Sequence, residues 1–174
     1  MLNFQKWIME IEKMITVPKL ETDRLIIEPM TLEELAKLVV VYGKIMPELS
    51  KAYQEMLDGC QQHTQDYIWY TAWKMCLKQN GQQVGDAGFK GPAQNGLVEV
   101  GYGINEQYQG QGYATEGVRA VCQWALAQEG VQAVEAETEP NNKASQNVLK
   151  KLGFIPTGKN GAEGPRFILW PKLV

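Results

Sequence analysis

The sequence predicts a mixed α/β (α+β) domain in which an antiparallel strand meander passes into a strand, helix, strand crossover. Three segments carry that prediction. Residues 84–90 and Leu97–Ile104 are short β-prone runs joined across Gly91-Pro92 and Asn95-Gly96, the pattern of antiparallel neighbours. Over 111–128 the apolar positions Ala114, Val118, Val121, Cys122, Ala125 and Leu126 switch to helical spacing, with Gly130 as the stop. Residues 131–138 return to a strand. A strand, crossover helix and strand in this order form a right-handed parallel pair in nearly all known folds.

The remaining elements follow in chain order. Phe4, Trp7, Ile8, Ile11, Met14 and Ile15 lie on one face of a helix within residues 1–19, an extension ahead of a single domain over 20–174. Charged residues interrupt that stripe, so it lacks the apolar core of an export signal; it reads as a helix packed on the domain, or as a homodimer contact. Leu25-Ile26-Ile27 is extended and stops at Pro29. Thr31 and Glu34 then make a capping box for a helix to about Val41. A second helix is expected over 47–57, a polar connection over 59–66, and an aromatic-rich strand over 67–77, with Asn80-Gly81 as a hairpin turn. After Pro140, a helix over Lys143–Leu152 is expected to bury Ala144, Val148, Leu149 and Leu152, with Gly153 closing it before a last hairpin through 166–170.

Composition narrows the function. The 174 residues are 44% hydrophobic and 21% charged, with no apolar run near the ~18 residues that span a membrane. A net charge of -3 offers no global field for a phosphate backbone, so nucleic acid is not expected as the main partner. Cys60, Cys76 and Cys122 are odd in number and widely spaced, which fits neither a disulfide framework nor a zinc site and suits a reducing cytoplasm. The single histidine, His63, sits in a polar stretch, and Ser50 and Ser145 are the only serines, so a Ser-His-Asp triad has little to draw on.

The chemistry concentrates in the turn Gln109-Gly110-Gln111-Gly112-Tyr113-Ala114-Thr115, between a strand and a helix start. Glycines there let consecutive backbone N–H groups point at an anion together with the helix N-terminus, the geometry of a pyrophosphate site. Two other motifs fail. Residues 153–160 approach a P-loop but end in asparagine where magnesium needs a hydroxyl, and follow a helix. A dinucleotide fingerprint through Gly110 and Gly112 meets Thr115 at its third glycine, and the meander before it is not a repeated βαβ unit.

Gln109, Gly112 and Ala114 match the Q/R-x-x-G-x-G/A signature of the GCN5-related N-acetyltransferase (GNAT) superfamily, which the chain resembles over about 20–170. The runs Val98-Glu99-Val100-Gly101-Tyr102-Gly103-Ile104, Asn142-Lys143-Ala144-Ser145 and Leu149-Lys150-Lys151-Leu152-Gly153-Phe154 bring it nearest the Rim-type ribosomal-protein N-terminal acetyltransferases. The resemblance implies a mixed, mostly antiparallel sheet with helices on both faces, whose two parallel strands splay apart. It also implies acetyl-CoA as cofactor, held by Tyr102 and Ile104, by Gln109, Gly110, Gln111, Gly112, Tyr113, Ala114 and Thr115, and by Asn142 and Ser145. Glutamines at 109 and 111 replace the arginine or lysine common in relatives, which leaves more of the phosphate binding to backbone amides.

The activity implied is acetyl transfer to a primary amine, namely a protein N-terminus, a lysine, a polyamine or a small amine. A non-catalytic acyl-CoA-binding module is the alternative. Transfer needs a base or a water chain for the amine and an acid for the thiolate. Glu99 lies in an apolar strand, on the face opposite Val98 and Val100, and is the candidate base, with Glu137 second among the alternating Glu135, Glu137 and Glu139. Leu149 occupies the position where many relatives carry an acidic tyrosine. The Rim-type branch implies Ser145, one helical turn earlier, as the acid.

Overall fold

The protein is described by a computed structural model over residues 17–171, so the apolar stripe of the N-terminal extension lies outside the described residues. The described chain runs β1 (Leu20–Glu21), β2 (Leu25–Pro29), α1 (Leu32–Tyr42), α2 (Pro47–Gln62), β3 (Ala72–Leu77), β4 (Gln83–Phe89), β5 (Leu97–Ile104), α3 (Tyr113–Leu126), β6 (Ala133–Glu137), α4 (Lys143–Leu152), β7 (Ile155–Asn160) and β8 (Pro165–Leu169). These strands form one sheet in the order β1-β2-β3-β4-β5-β6-β8-β7. Every pairing is antiparallel except β5 with β6, the crossover pair bridged by α3.

The alternation of the strands divides the core between two faces. Trp73, Met75 and Leu77 of β3 join Val98 and Val100 of β5, Val134 of β6 and the buried stripe Val118, Val121, Cys122 and Ala125 of α3; Leu149 and Leu152 of α4 close this side. Ala72 turns to the opposite face, where Leu35 of α1 and Tyr53, Leu57 and Cys60 of α2 pack on the sheet. Helices therefore cover both faces, but α1 and α2 sit over the β2 to β4 half.

Local signals set several boundaries. Thr31 Oγ1 accepts from Glu34 N at 3.2 Å while Glu34 Oε2 accepts from Thr31 N at 2.8 Å, the reciprocal capping box that starts α1. Gly153 closes α4 in the left-handed region at φ 93°, and Pro156 behind it lies in β7; the P-loop likeness is a helix stop followed by a strand.

Three expectations are corrected. Helix α2 runs five residues past Leu57, to Gln62, because Gly59 is a packing position and not a breaker: a Cβ there would meet Tyr70 Cδ1 at 2.8 Å. The aromatic segment begins with a 3-10 turn over Tyr67–Trp69 and becomes a strand only at Ala72, its first aromatics being drawn into ring contacts such as Trp69 with Phe89 at 5.1 Å. Ala144 is exposed, since the first turn of α4 stands clear of the core that Leu149 and Leu152 enter.

Candidate active site

Strands β5 and β6 are paired only at Leu97–Ala133, Val98–Val134 and Glu99–Glu135. Beyond Glu99 they part: β5 continues along β4 to Ile104, while β6 follows β8 to Glu137. Between them opens a notch bordered by strand edge. The glycine turn lies at one side of it and the start of α4 at the other.

Gly112 caps α3 at φ 85°, ψ 1°, a left-handed conformation that glycine adopts at little cost, and Gly110 is also left-handed at φ 72°. The first-turn N–H groups of α3, at Tyr113, Ala114 and Thr115, have no intrahelical acceptor to use, which suits an anion. Both glutamines of the turn fold back onto it: Gln109 Nε2 donates to Ile104 O at 3.0 Å, and Gln111 Nε2 to Gln107 O at 3.1 Å. They tie the loop.

A cation stands at the turn all the same. Arg24, next to β2, donates from Nη1 to Gln111 O at 3.0 Å and from Nε to Glu116 Oε2 at 2.6 Å, with its guanidinium 4.3 Å from the Tyr113 ring centroid. Burial raises the pKa of Glu116, but the hydrogen bonds from Thr22 and from Arg24 outweigh it and the net shift is downward. Sequence reasoning missed Arg24 because nothing local ties it to a turn 87 positions away in the chain.

On the far side, Asn142 Oδ1 accepts from Ser145 N at 3.0 Å and caps α4. The Ser145 hydroxyl lies 2.9 Å from Tyr102 Oη, so β5 and α4 are bridged across the notch by two hydroxyls. Burial raises the Tyr102 pKa against the lowering effect of that hydrogen bond, which keeps the phenol protonated. Thr138, just past β6, is 4% exposed, and its hydroxyl has no hydrogen-bond partner among the described residues. An orphaned buried hydroxyl beside strand edges suits a ligand arm that carries amide groups.

A sequence profile described as Acetyltransferase (GNAT) domain matches residues 24–155, most of the chain. The chain belongs to the GNAT acetyltransferase family. Among curated relatives it is 37% identical over 92 residues to the uncharacterized N-acetyltransferase YjdG of Bacillus subtilis, covering 52% of this chain and 55% of that one. It is 25% identical over 152 residues to YoaA of the same organism, covering 81% and 85%. The chain spans about half the length of the first of these relatives. Among solved structures, an acetyltransferase from Agrobacterium tumefaciens aligns with a TM-score of 0.69 at 18% identity over 90% of this chain and 96% of that one. The RimL ribosomal-protein alpha-N-acetyltransferase in complex with coenzyme A aligns at 0.69 and 14% identity over 88% and 98%. At such identities the likeness is one of fold.

In this GNAT domain the face opposite α3 carries the carboxylates. Glu99 Oε1 takes Lys90 Nζ at 2.5 Å and Oε2 takes the Arg166 guanidinium, so both oxygens are engaged by cations. Arg166 also faces Glu135 at 3.8 Å and Glu137 at 3.7 Å. Glu137 Oε1 accepts the backbone N–H groups of Gly164, at 2.9 Å, and Glu163; the Gly164 bond does most to hold its pKa below the ordinary value. Glu137 thus anchors the turn between β7 and β8. The expected charged face is an ion cluster built on Arg166, with Lys90 completing it.

A further carboxylate lies on the same face, in β4. Asp86 of β4 accepts from Tyr53 Oη of α2 at 2.6 Å, and burial pushes its pKa up to about 6 although that hydrogen bond lowers it. A carboxyl whose folded pKa exceeds its unfolded one holds its proton more tightly when folded. The stability this gives is complete below about pH 4 and lost as pH rises through about 6, so ionised Asp86 weighs against the fold at neutral pH. A carboxyl perturbed in this way is a candidate for a functional site. Only the contact with α2, more than thirty residues earlier in the chain, distinguishes Asp86 from any polar strand residue, and no local pattern signals that contact.

Proposed function

We propose that this chain is an acetyl-CoA-dependent N-acetyltransferase acting on a primary amine by direct transfer. The observation that carries the reading is the notch: the parallel ladder stops at Glu99–Glu135 and leaves β5 edge, the orphaned Thr138 hydroxyl and the Ser145–Tyr102 pair around one gap. Bound acetyl-CoA supplies an activated acetyl thioester. The amides of Gly110 to Thr115, with Gln109 and Gln111 shaping the loop and Arg24 beside it, would hold the pyrophosphate. The β5 edge from Tyr102 to Ile104, Thr138 and Asn142 would hold the pantetheine arm.

Within that reading Ser145 is the acid for the departing thiolate, with the Tyr102 hydroxyl as its hydrogen-bond neighbour. On the other face, Glu99, Glu135, Glu137 and Glu163 outnumber Lys90 and Arg166 four to two, a local negative excess that favours a cationic acceptor such as a protein N-terminus, lysine or polyamine.

A thermal-shift comparison tests the cofactor. Acetyl-CoA at 100 times its Kd should stabilise the folded chain by about 2.7 kcal/mol, while NAD at the same concentration should leave Tm unchanged. A shift with NAD and none with acetyl-CoA would overturn the proposal.

A further inference from the structure

Four strands set one residue each in a single row on the face under α1 and α2: Glu28 of β2, Lys74 of β3, Asp86 of β4 and Gly103 of β5. Lys74 is drawn toward β2 and α1, its Nζ 3.2 Å from Glu28 and 2.6 Å from Glu34. Asp86 keeps one neutral partner, the Tyr53 hydroxyl on Oδ2, and among the described residues no donor reaches Oδ1. Its other neighbour is bare backbone. Gly103 and Gly101 are exposed on this face, and a Cβ at either would meet nothing within 4 Å. An open strip therefore runs along β5 at the notch, with Glu99 at its start and Asp86 along its side.

We propose that Asp86 binds the acceptor amine and takes its proton, with Tyr53 as the residue that positions the carboxylate. This rests on the reading of the chain as an acetyl-CoA-dependent N-acetyltransferase. The other carboxylates of the face have cationic or amide partners: Lys90 and Arg166 occupy Glu99, Arg166 also faces Glu135, two backbone amides occupy Glu137, and Lys74 takes Glu28 and Glu34. Asp86 alone combines a free oxygen, an open approach and a pKa of about 6, near the range in which a base is most effective.

An incoming ammonium ion-pairs with Asp86 and gives one proton to Oδ1, leaving a lone pair on nitrogen. The bond from nitrogen to the acetyl carbon forms as the carbon–sulfur bond breaks. Ser145 gives its proton to the departing sulfur and regains one from the nitrogen, and Asp86 releases its own to solvent. Ammonium and thioester thus become amide, thiol and one proton.

The titratable groups facing Asp86 are Lys74 from β3, Tyr53 from α2 and, behind it, Tyr42 from α1, whose ring stacks on Tyr53 at 5.8 Å; β5 sets Gly103 opposite Asp86, with Glu99 farther along the same face and held by Lys90 and Arg166. The test uses the full chain with acetyl-CoA and butylamine, spermidine or a peptide with a free N-terminus. Asp86→Asn should lower kcat/KM about 10²-fold while leaving the Tm shift with acetyl-CoA unchanged. Tyr53→Phe removes the hydrogen bond that lowers the Asp86 pKa, so the acid limb of the pH profile should move to higher pH. Without ligand, Asp86→Asn should melt above wild type at pH 8, by a margin that shrinks toward pH 4.5. The proposal is overturned if wild type consumes amines while Asp86→Asn stays within about twofold and the acid limb of Tyr53→Phe does not move. Absence of amine-dependent thiol release in wild type would overturn the underlying reading as well.

Discussion

Ser145→Ala is expected to lower kcat about 10²-fold with acetyl-CoA affinity nearly unchanged, because a group that protonates the leaving thiolate acts in the transition state and little in the ground state. Ser145 Oγ is half-buried, 2.9 Å from Tyr102 Oη, at the edge of the notch, and Leu149 is fully buried where many relatives place a tyrosine. The cap of α4 does not depend on the hydroxyl: Asn142 Oδ1 bonds the backbone N–H of Ser145, which alanine retains. The variant should therefore fold. Coenzyme A thiol leaves tolerably without help, so thioesters of good and poor thiols should be compared, and loss of a true acid will slow the poor one more. Equal sensitivity across thiols, with kcat within about a factor of two of wild type, would refute the assignment.

Replacing Gly112 is expected to cost at least about tenfold in acetyl-CoA affinity, the equivalent of ~1.4 kcal/mol. Its φ of 85° is strained for a β-branched residue, by roughly 1–3 kcal/mol, and its Cβ would also meet Arg24 Nη2 at 3.4 Å. Gly112→Val thus combines local strain with obstruction of the anion site. Gly112→Asn separates the two effects, since asparagine tolerates the left-handed region while still placing a side chain where the pyrophosphate should approach. Both variants should lose affinity, and the asparagine variant should keep the wild-type Tm. Unchanged affinity in a folded Gly112→Asn protein would remove the anion-site assignment.

The turn and the fold were legible in the sequence where the cause is local. The Thr31–Glu34 capping box, the β5 run at Leu97–Ile104 and the Gly153 stop each need only a few neighbouring residues to act. Boundaries failed where a distant contact decides: Gly59 stays helical because Tyr70 packs on it, and the segment before Ala72 coils around aromatic contacts. The same distinction separates the parts of the candidate site. Ser145 and Gly112 sit in motifs, whereas Arg24 reaches its turn through a contact 87 residues away and Asp86 meets Tyr53 across 33. Glu99 shows the converse, a strand glutamate whose position was readable but whose two cationic partners come from the end of β4 and from β8.

The proposed reaction moves acetyl from acetyl-CoA to an amine at the notch. The most direct measurement follows free thiol release from acetyl-CoA with and without butylamine, spermidine or a peptide with a free N-terminus, together with the mass of the amine product. Thiol release that depends on the amine is expected, matched one for one by an amine heavier by one acetyl group. Tight binding of acetyl-CoA with no thiol release on any amine would contradict it, and would identify the chain as an acyl-CoA-binding module.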